Sequence, residues 1–221
     1  MRHPYDLVDV EGTFPIDSVR PIYDYMLVKQ LKQERSIGGL VLVGGERRDW
    51  IAVQVVRVGS GYVSEKDGGV THLPYKPDEY ALMMDYAGER IVLRDDQYRL
   101  VREQGFWAKI TLKGDPSMVE LESLTPMRDC ILVKPHELKT RGGLFVPEKT
   151  QQHLITADVI SSGPGFLNVH THIRFDNEVE PGEQVVMLKY SGATVEMNDT
   201  EYRLIQKADV KCRIPKEVRV G

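Results

Sequence analysis

Cysteine is scarce in this chain: two residues in 221, Cys130 and Cys212, both in its second half. A disulfide scaffold needs pairs spread through the fold, so none is expected, and a reducing compartment is the natural setting. Long apolar runs are missing too. No stretch approaches the roughly 20 residues that cross a bilayer as a helix. Met1 to Val19 mixes acidic and apolar residues without the layout of a signal or transit peptide. There is no basic excess: 29 Lys and Arg against 33 Asp and Glu give a net charge of -4 and a pI near 5.9, leaving no positive surface for nucleic acid. No Gly-rich loop leads to a Lys-Ser/Thr pair, and no nucleophile elbow is present. These absences predict a soluble, cytoplasmic protein with no cofactor, no membrane, no nucleic-acid partner and no enzymatic activity.

What is present is repetition. Pro21, Asp24, Leu27, Val28 and Lys29 recur as Pro126, Asp129, Leu132, Val133 and Lys134, an offset of 105. From there the offset is 104: Gly38-Gly39-Leu40 meets Gly142-Gly143-Leu144, and Gly59-Ser60-Gly61 meets Gly163-Pro164-Gly165. Tyr86-Ala87-Gly88 likewise meets Tyr190-Ser191-Gly192, and Tyr98-Arg99-Leu100 meets Tyr202-Arg203-Leu204. So many landmarks with one slip mean two fused copies of one domain. The expected divisions are an extension over 1–18, a first copy over 19–110, a linker over 111–123, a second copy over 124–215 and a tail over 216–221. The extension is expected to lack a counterpart in the second copy.

Each copy consists of short β-branched runs separated by Gly, Pro, Asp and Asn. Those of the first copy are Tyr25–Val28, Ile51–Val58, Tyr80–Met84 and Ile91–Leu93; those of the second are Cys130–Val133, Ile155–Ile160, Gln184–Leu188 and Val195–Met197. A helical period is never sustained, although Gln97–Gln104 has room for a helical turn. The pattern predicts an all-β chain of two small barrels.

One element in each copy resembles a tool. A charged segment runs into Gly38-Gly39 and then Leu40-Val41-Leu42; its counterpart runs into Gly142-Gly143 and then Leu144-Phe145-Val146. Charged residues cannot fill a core, and paired glycines permit positive φ, which leaves each apolar triplet on a flexible hinge. The plainer alternative makes each triplet a buried strand after a tight turn.

Both copies resemble the ten-kilodalton co-chaperonins, the GroES-like lids of group I chaperonins. The resemblance rests on Arg20 to Lys29, on Gly142 to Gln151, on Val159 to Gly165, on Val179 to Val186, and on Glu201 to Ile205 with Lys211 to Ile214. It implies a non-enzymatic cap whose mobile loops place the two triplets in apolar grooves of the chaperonin, with ATP bound by that partner. It also implies roof hairpins at Tyr62–Tyr75 and Phe166–Glu178, with turns at Asp67-Gly68-Gly69 and Asp176-Asn177. In a ring, the last strand of the first copy (Phe106–Ile110) is expected to pair with Met127–Lys134, and Val210–Ile214 with Ile22–Lys29 of the next chain. Whole chains supply six domains from a trimer or eight from a tetramer, but never seven.

Some residues depart from the family or suggest other chemistry. Trp50 beside the first loop predicts a loop packed down on its domain. His170 and His172 are placed on one strand face, the geometry of a metal pair, but no third ligand follows at a suitable spacing. Asp95-Asp96 with Glu89 reads as a solvated turn rather than an acid pair, and Cys130 and Cys212 as buried free thiols. The rival reading is a structural subunit, such as a decoration protein of a viral capsid. In that case the partner is a capsid protein and the location the virion.

Overall fold

The structure, a computed structural model, describes residues 15–31, 50–64, 66, 68–93, 96–112, 121–136, 154–168, 170–171, 173–197 and 200–216. Among them, regular structure is strand apart from three short 3-10 turns, Ile16–Ser18, Glu103–Gly105 and Lys207–Asp209. The first copy holds β1 (Tyr25–Gln30), β2 (Trp50–Val58), β3 (Tyr62–Val63), β4 (Val70–Thr71), β5 (Tyr80–Met84), β6 (Glu89–Leu93), β7 (Asp96–Arg102) and β8 (Phe106–Leu112). After β9 (Leu121–Pro126), the second copy repeats the series. It holds β10 (Cys130–Pro135), β11 (Leu154–Ser162), β12 (Phe166–Asn168), β13 (Ile173–Phe175), β14 (Gln184–Leu188), β15 (Ala193–Met197), β16 (Thr200–Gln206) and β17 (Val210–Ile214).

The strands form where apolar residues alternate. In β2, Ile51, Val53 and Val55 point inward to meet Met26 and Val28 of β1, Ala81 and Met83 of β5, Val101 of β7 and Phe106 of β8. The second copy builds its interior from Ile131, Val133, Ile155, Ala157, Val159, Val185, Met187 and Ile205. Each fully buried Val, Ile or Leu contributes roughly 1.5–3 kcal/mol of gross hydrophobic gain. Leu27 breaks the alternation, buried although it lies between Met26 and Val28. Its outward face is covered by Ile16 and Val19 of the opening segment, grouped with Leu93 and Tyr98.

All ladders are antiparallel, in the orders β6-β7-β1-β2-β5-β8-β9 and β15-β16-β10-β11-β14-β17. The all-β class and the tandem repeat stand; among the described residues these ladders form two open sheets and do not close into sealed barrels. Bulges at Leu27/Val28 and Leu132/Val133 recur at matching positions and bend the sheets around their cores.

Several local expectations differ from what is found. Gln97–Gln104 is mostly β7, paired with both β1 and β6, and only Glu103–Gly105 turns. The second roof hairpin turns at His170-Thr171, where Asn168 Oδ1 accepts both backbone N–H groups. Asn177, expected in that turn, is instead 5% exposed. Its Nδ2 faces Ser162 Oγ at 3.0 Å and the carbonyls of Gly163, Arg128 and Cys130 at 3.1, 3.4 and 3.4 Å. Gly61 and Gly165 carry φ of 102° and 89° where each chain enters its roof hairpin. A Cβ at either would overlap the carbonyl oxygen of Thr71 or Phe175.

Candidate functional site

Both long insertions leave from the same place. Gln30 pairs with Val53, and Leu31 N–H donates to Ala52 O at 3.0 Å; in the second copy Pro135 pairs with Ala157, and His136 N–H donates to Thr156 O at 2.9 Å. Each stem is therefore clamped by the ladder at its base. The chemistry of the clamps differs. Leu31 packs on an apolar cluster that includes Trp50, the first residue of β2. His136 Nε2 instead lies 2.7 Å from Asp158 Oδ2. Gly38, Gly39, Leu40, Val41, Leu42, Gly142, Gly143, Leu144, Phe145 and Val146 all lie outside the described residues.

Trp50 packs at the junction of the two copies; the loop it was expected to hold down lies outside the described residues. It sits against Trp107 with ring centroids 4.3 Å apart in an edge-to-face arrangement. Both indoles lie in a seam joining the two copies, with Ala52, Leu82, Ala108, Ile110 and Leu124 on one side and Cys130, Leu132, Ala193, Val195 and Leu204 on the other. Beside the seam, β9 adds to β8 in a ladder running from Ala108↔Pro126 to Leu112↔Leu121. The sequence reading gave this pairing to Met127–Lys134 and put residues 121–123 in the linker. The missed signal is Ile16-Asp17-Ser18-Val19-Arg20-Pro21, which matches Leu121-Glu122-Ser123-Leu124-Thr125-Pro126 at the offset of 105. Part of the supposed extension therefore does have a counterpart.

Above the seam lies a cavity of about 260 Å³ lined by both copies, among them Tyr62, Arg102, Glu103, Arg128 and Arg174. Glu103 is 8% exposed. Tyr62 Oη donates to its Oε2 at 2.7 Å, and Arg128 Nε stands 3.8 Å away across the junction. Burial pushes the Glu103 carboxyl above the usual carboxylate range, while Tyr62 and Arg128 pull it back only in part. Burial likewise raises the Tyr62 phenol, and Glu103 adds to the shift. Close by, Arg102 grips buried Asp24, with Nε 3.0 Å from Oδ2 and Nη2 3.2 Å from Oδ1. The cluster works as a polar clasp between the copies. It was not foreseen, because its members are far apart in sequence and differ between copies: Glu103 corresponds to Lys207, and Arg128 to Tyr23.

The remaining candidates resolve simply. His170 lies in a turn rather than on a strand, and His172 is outside the described residues. No group of three or more His, Cys, Asp or Glu side chains is arranged for a metal among the described residues. Asp96 opens β7 and pairs with Lys29 at 3.1 Å. Both cysteines are free, but only Cys130 is buried; Cys212 is exposed on β17, the edge strand of its sheet.

The described residues thus form two like β-domains joined by a shared strand, each with an insertion leaving from a ladder-bound stem. A family model described as "Chaperonin 10 Kd subunit" matches twice, over residues 18–110 and 123–214. The chain belongs to this co-chaperonin family. It is 32% identical over 99 residues to the mitochondrial 10 kDa heat shock protein of Saccharomyces cerevisiae, covering 43% of this chain and 92% of that protein. To the chloroplastic 20 kDa chaperonin of Spinacia oleracea it is 26% identical over 199 residues, 87% of this chain and 74% of that one. It is 34% identical over 89 residues to the co-chaperonin GroES of Desulfatibacillum aliphaticivorans, 39% of this chain and 93% of that protein. These relatives give no support to the capsid-decoration alternative.

Proposed function

We propose that the protein is a tandem co-chaperonin that caps a group I chaperonin and assists ATP-dependent folding, the nucleotide being bound by the partner. The observation that carries this reading is the pair of insertions held on clamped stems at the same end of each domain. Val41 and Phe145 fall near the middle of the gaps between β1 and β2 and between β10 and β11. A chain of that length carries its midpoint up to about 30 Å from the stem. Gly38-Gly39 and Gly142-Gly143 are the hinges, and Leu40-Val41-Leu42 and Leu144-Phe145-Val146 the docking residues.

Burying one triplet offers roughly 5–8 kcal/mol of gross hydrophobic gain, and ordering the loop consumes several kcal/mol of it. A single loop is then weak, and several held on one ring act together through effective concentration. We place the protein in a homo-oligomeric ring of three or four chains. Its two unpaired thiols suit a cytoplasmic setting.

The test is co-sedimentation with a group I chaperonin in ATP, in ADP and without nucleotide, for the native protein and for a Leu144→Ser, Phe145→Ser variant. Nucleotide-dependent binding that the variant loses by more than about tenfold is the expected result. A folded, assembled protein that binds under no nucleotide condition overturns the reading.

A further inference from the structure

The cavity between the copies holds more positive charge than its clasp uses. Three guanidinium groups line it, Arg102 from the first copy and Arg128 and Arg174 from the second, against two carboxylates, Asp24 and Glu103. Arg102 and Asp24 satisfy one another, with Nε and Nη2 both on the carboxylate. Glu103 accepts its 2.7 Å hydrogen bond from a neutral donor, Tyr62 Oη, and burial favours its uncharged form. Arg128 Nη1 donates to Gln104 O and Arg174 Nη1 to Gly165 O, each at 3.1 Å. A guanidinium has five N–H groups, so both keep donors for a further acceptor. Among the described residues no ion pair engages Arg174. The chain as a whole carries a net charge of -4, so this excess of cations runs against the general field of the molecule.

The repeat shows that the fold does not require these cations. The counterparts of Arg102, Arg128 and Arg174 in the other copy are Gln206, Tyr23 and Val70, none of them charged. The same framework is therefore built twice, and the three arginines converge only where the second copy follows the first. Neutralising buried Asp24 accounts for Arg102, and facing Glu103 accounts in part for Arg128. Neither task needs Arg174. The space is also adequate, since about 260 Å³ is many times what a single water occupies. Met127 and Phe166 supply apolar wall, which strengthens charge interactions by thinning the water around them. Arg128 lies over the Phe166 ring, 6.0 Å from its centroid, a contact that holds the guanidinium in place.

We propose that this cavity is a binding site for a small oxyanion of the phosphate class, held by Arg128 and Arg174 of the second copy against the wall formed by the first. Planar guanidinium forks meet the oxygens of such an anion two at a time, which a lone ammonium does not. Bound between the copies, the anion stabilises the folded junction by mass action. Glu103 in its ionised form opposes it, because the carboxylate stands 3.8 Å from Arg128 and competes for the same cation. The site needs no chaperonin, so its presence or absence leaves the lid reading where it stands.

The experiment is isothermal titration of the full-length protein with pyrophosphate, inorganic phosphate and ADP at about pH 8, where histidines such as the exposed His72 of the lining are ordinarily neutral. Chloride holds the ionic strength constant throughout. Pyrophosphate is expected to bind saturably, one per chain, and phosphate more weakly. ADP that binds no more tightly than pyrophosphate assigns the site to a free anion, and tighter binding assigns it to phosphate carried on a nucleoside; the shared chemistry stands in both cases. Arg174→Met, at an exposed position, and Arg128→Met should each weaken pyrophosphate by about tenfold or more. Glu103→Gln should tighten it by about threefold or more, a gain that no loss of folding can imitate. Circular dichroism and tryptophan fluorescence check that each variant is native. The absence of saturable binding overturns the proposal. So does pyrophosphate binding that survives unchanged in both arginine variants, and so does a Glu103→Gln variant that binds no better than the native protein.

Discussion

The seam ties the folding of one copy to the other, and Leu204→Ala measures how tightly. Leu204 belongs to the second copy, is fully buried, and lies in the cluster that holds both indoles. Truncating a buried leucine costs about 2–5 kcal/mol, combining lost transfer energy with the cavity left behind. The chain has two tryptophans, Trp50 and Trp107, both in the first copy at the seam. Their fluorescence therefore follows the first copy, while far-ultraviolet circular dichroism follows both. With a urea slope of about 2 kcal/mol per M, a loss of about 3 kcal/mol moves the midpoint down by about 1.5 M. If the seam couples the copies, the fluorescence transition moves by that amount although the substitution lies in the other copy. A fluorescence midpoint unchanged by Leu204→Ala, with only part of the circular dichroism signal moving, would refute the coupling.

Two further outcomes follow from the polar groups. Because the folded carboxyl of Glu103 titrates above its usual value, its contribution to stability is complete below the unfolded value and is lost as pH rises through the raised one. Glu103→Gln should therefore gain on the native protein between about pH 4 and about pH 7 in urea unfolding; a gap that does not change with pH contradicts this. Asn177→Ala removes a donor from buried carbonyls and should cost about 1–3 kcal/mol, a fall in Tm of about 3–10 °C by calorimetry. Asn177→Asp should cost more at neutral pH, since it turns a carboxylate toward oxygen acceptors; equal stability of Asp and Asn here would remove the role assigned to Nδ2.

The sequence shows the strands plainly because Ile51, Val53 and Val55 alternate and their counterparts Ile155, Ala157 and Val159 do so again. It shows the two copies because whole motifs recur. It does not show whether a sheet closes, since that depends on which edge strands meet and not on what any strand contains. Leu121–Pro126 was hidden for a related reason. It ends in proline beside a Gly- and Pro-marked linker, and it becomes a strand by pairing with β8. Asp176-Asn177 offers only a weak turn signal, and the Asn177 amide instead donates to buried carbonyls where β11 leaves its ladder. The exposure of Cys212 follows from the position of β17 at the end of its sheet, which composition cannot reveal. The triplets proposed to dock were read from Gly-Gly and the apolar residues after it, and they lie outside the described residues.

The open edge of β17 has a consequence for how the protein avoids itself. A bare edge strand invites any other strand to add, its own copy in another chain included. Two β17 edges laid antiparallel would bring Lys211 and Arg213 of one chain against the same residues of the other, at cross-strand distances where like charges repel. The strand is only five residues long, and its end is marked by Pro215. Mirror-image pairing, which would join two chains tail to tail and leave no edge to close a circle, is thereby disfavoured. The strand rejects its own image while remaining open to an edge of different charge.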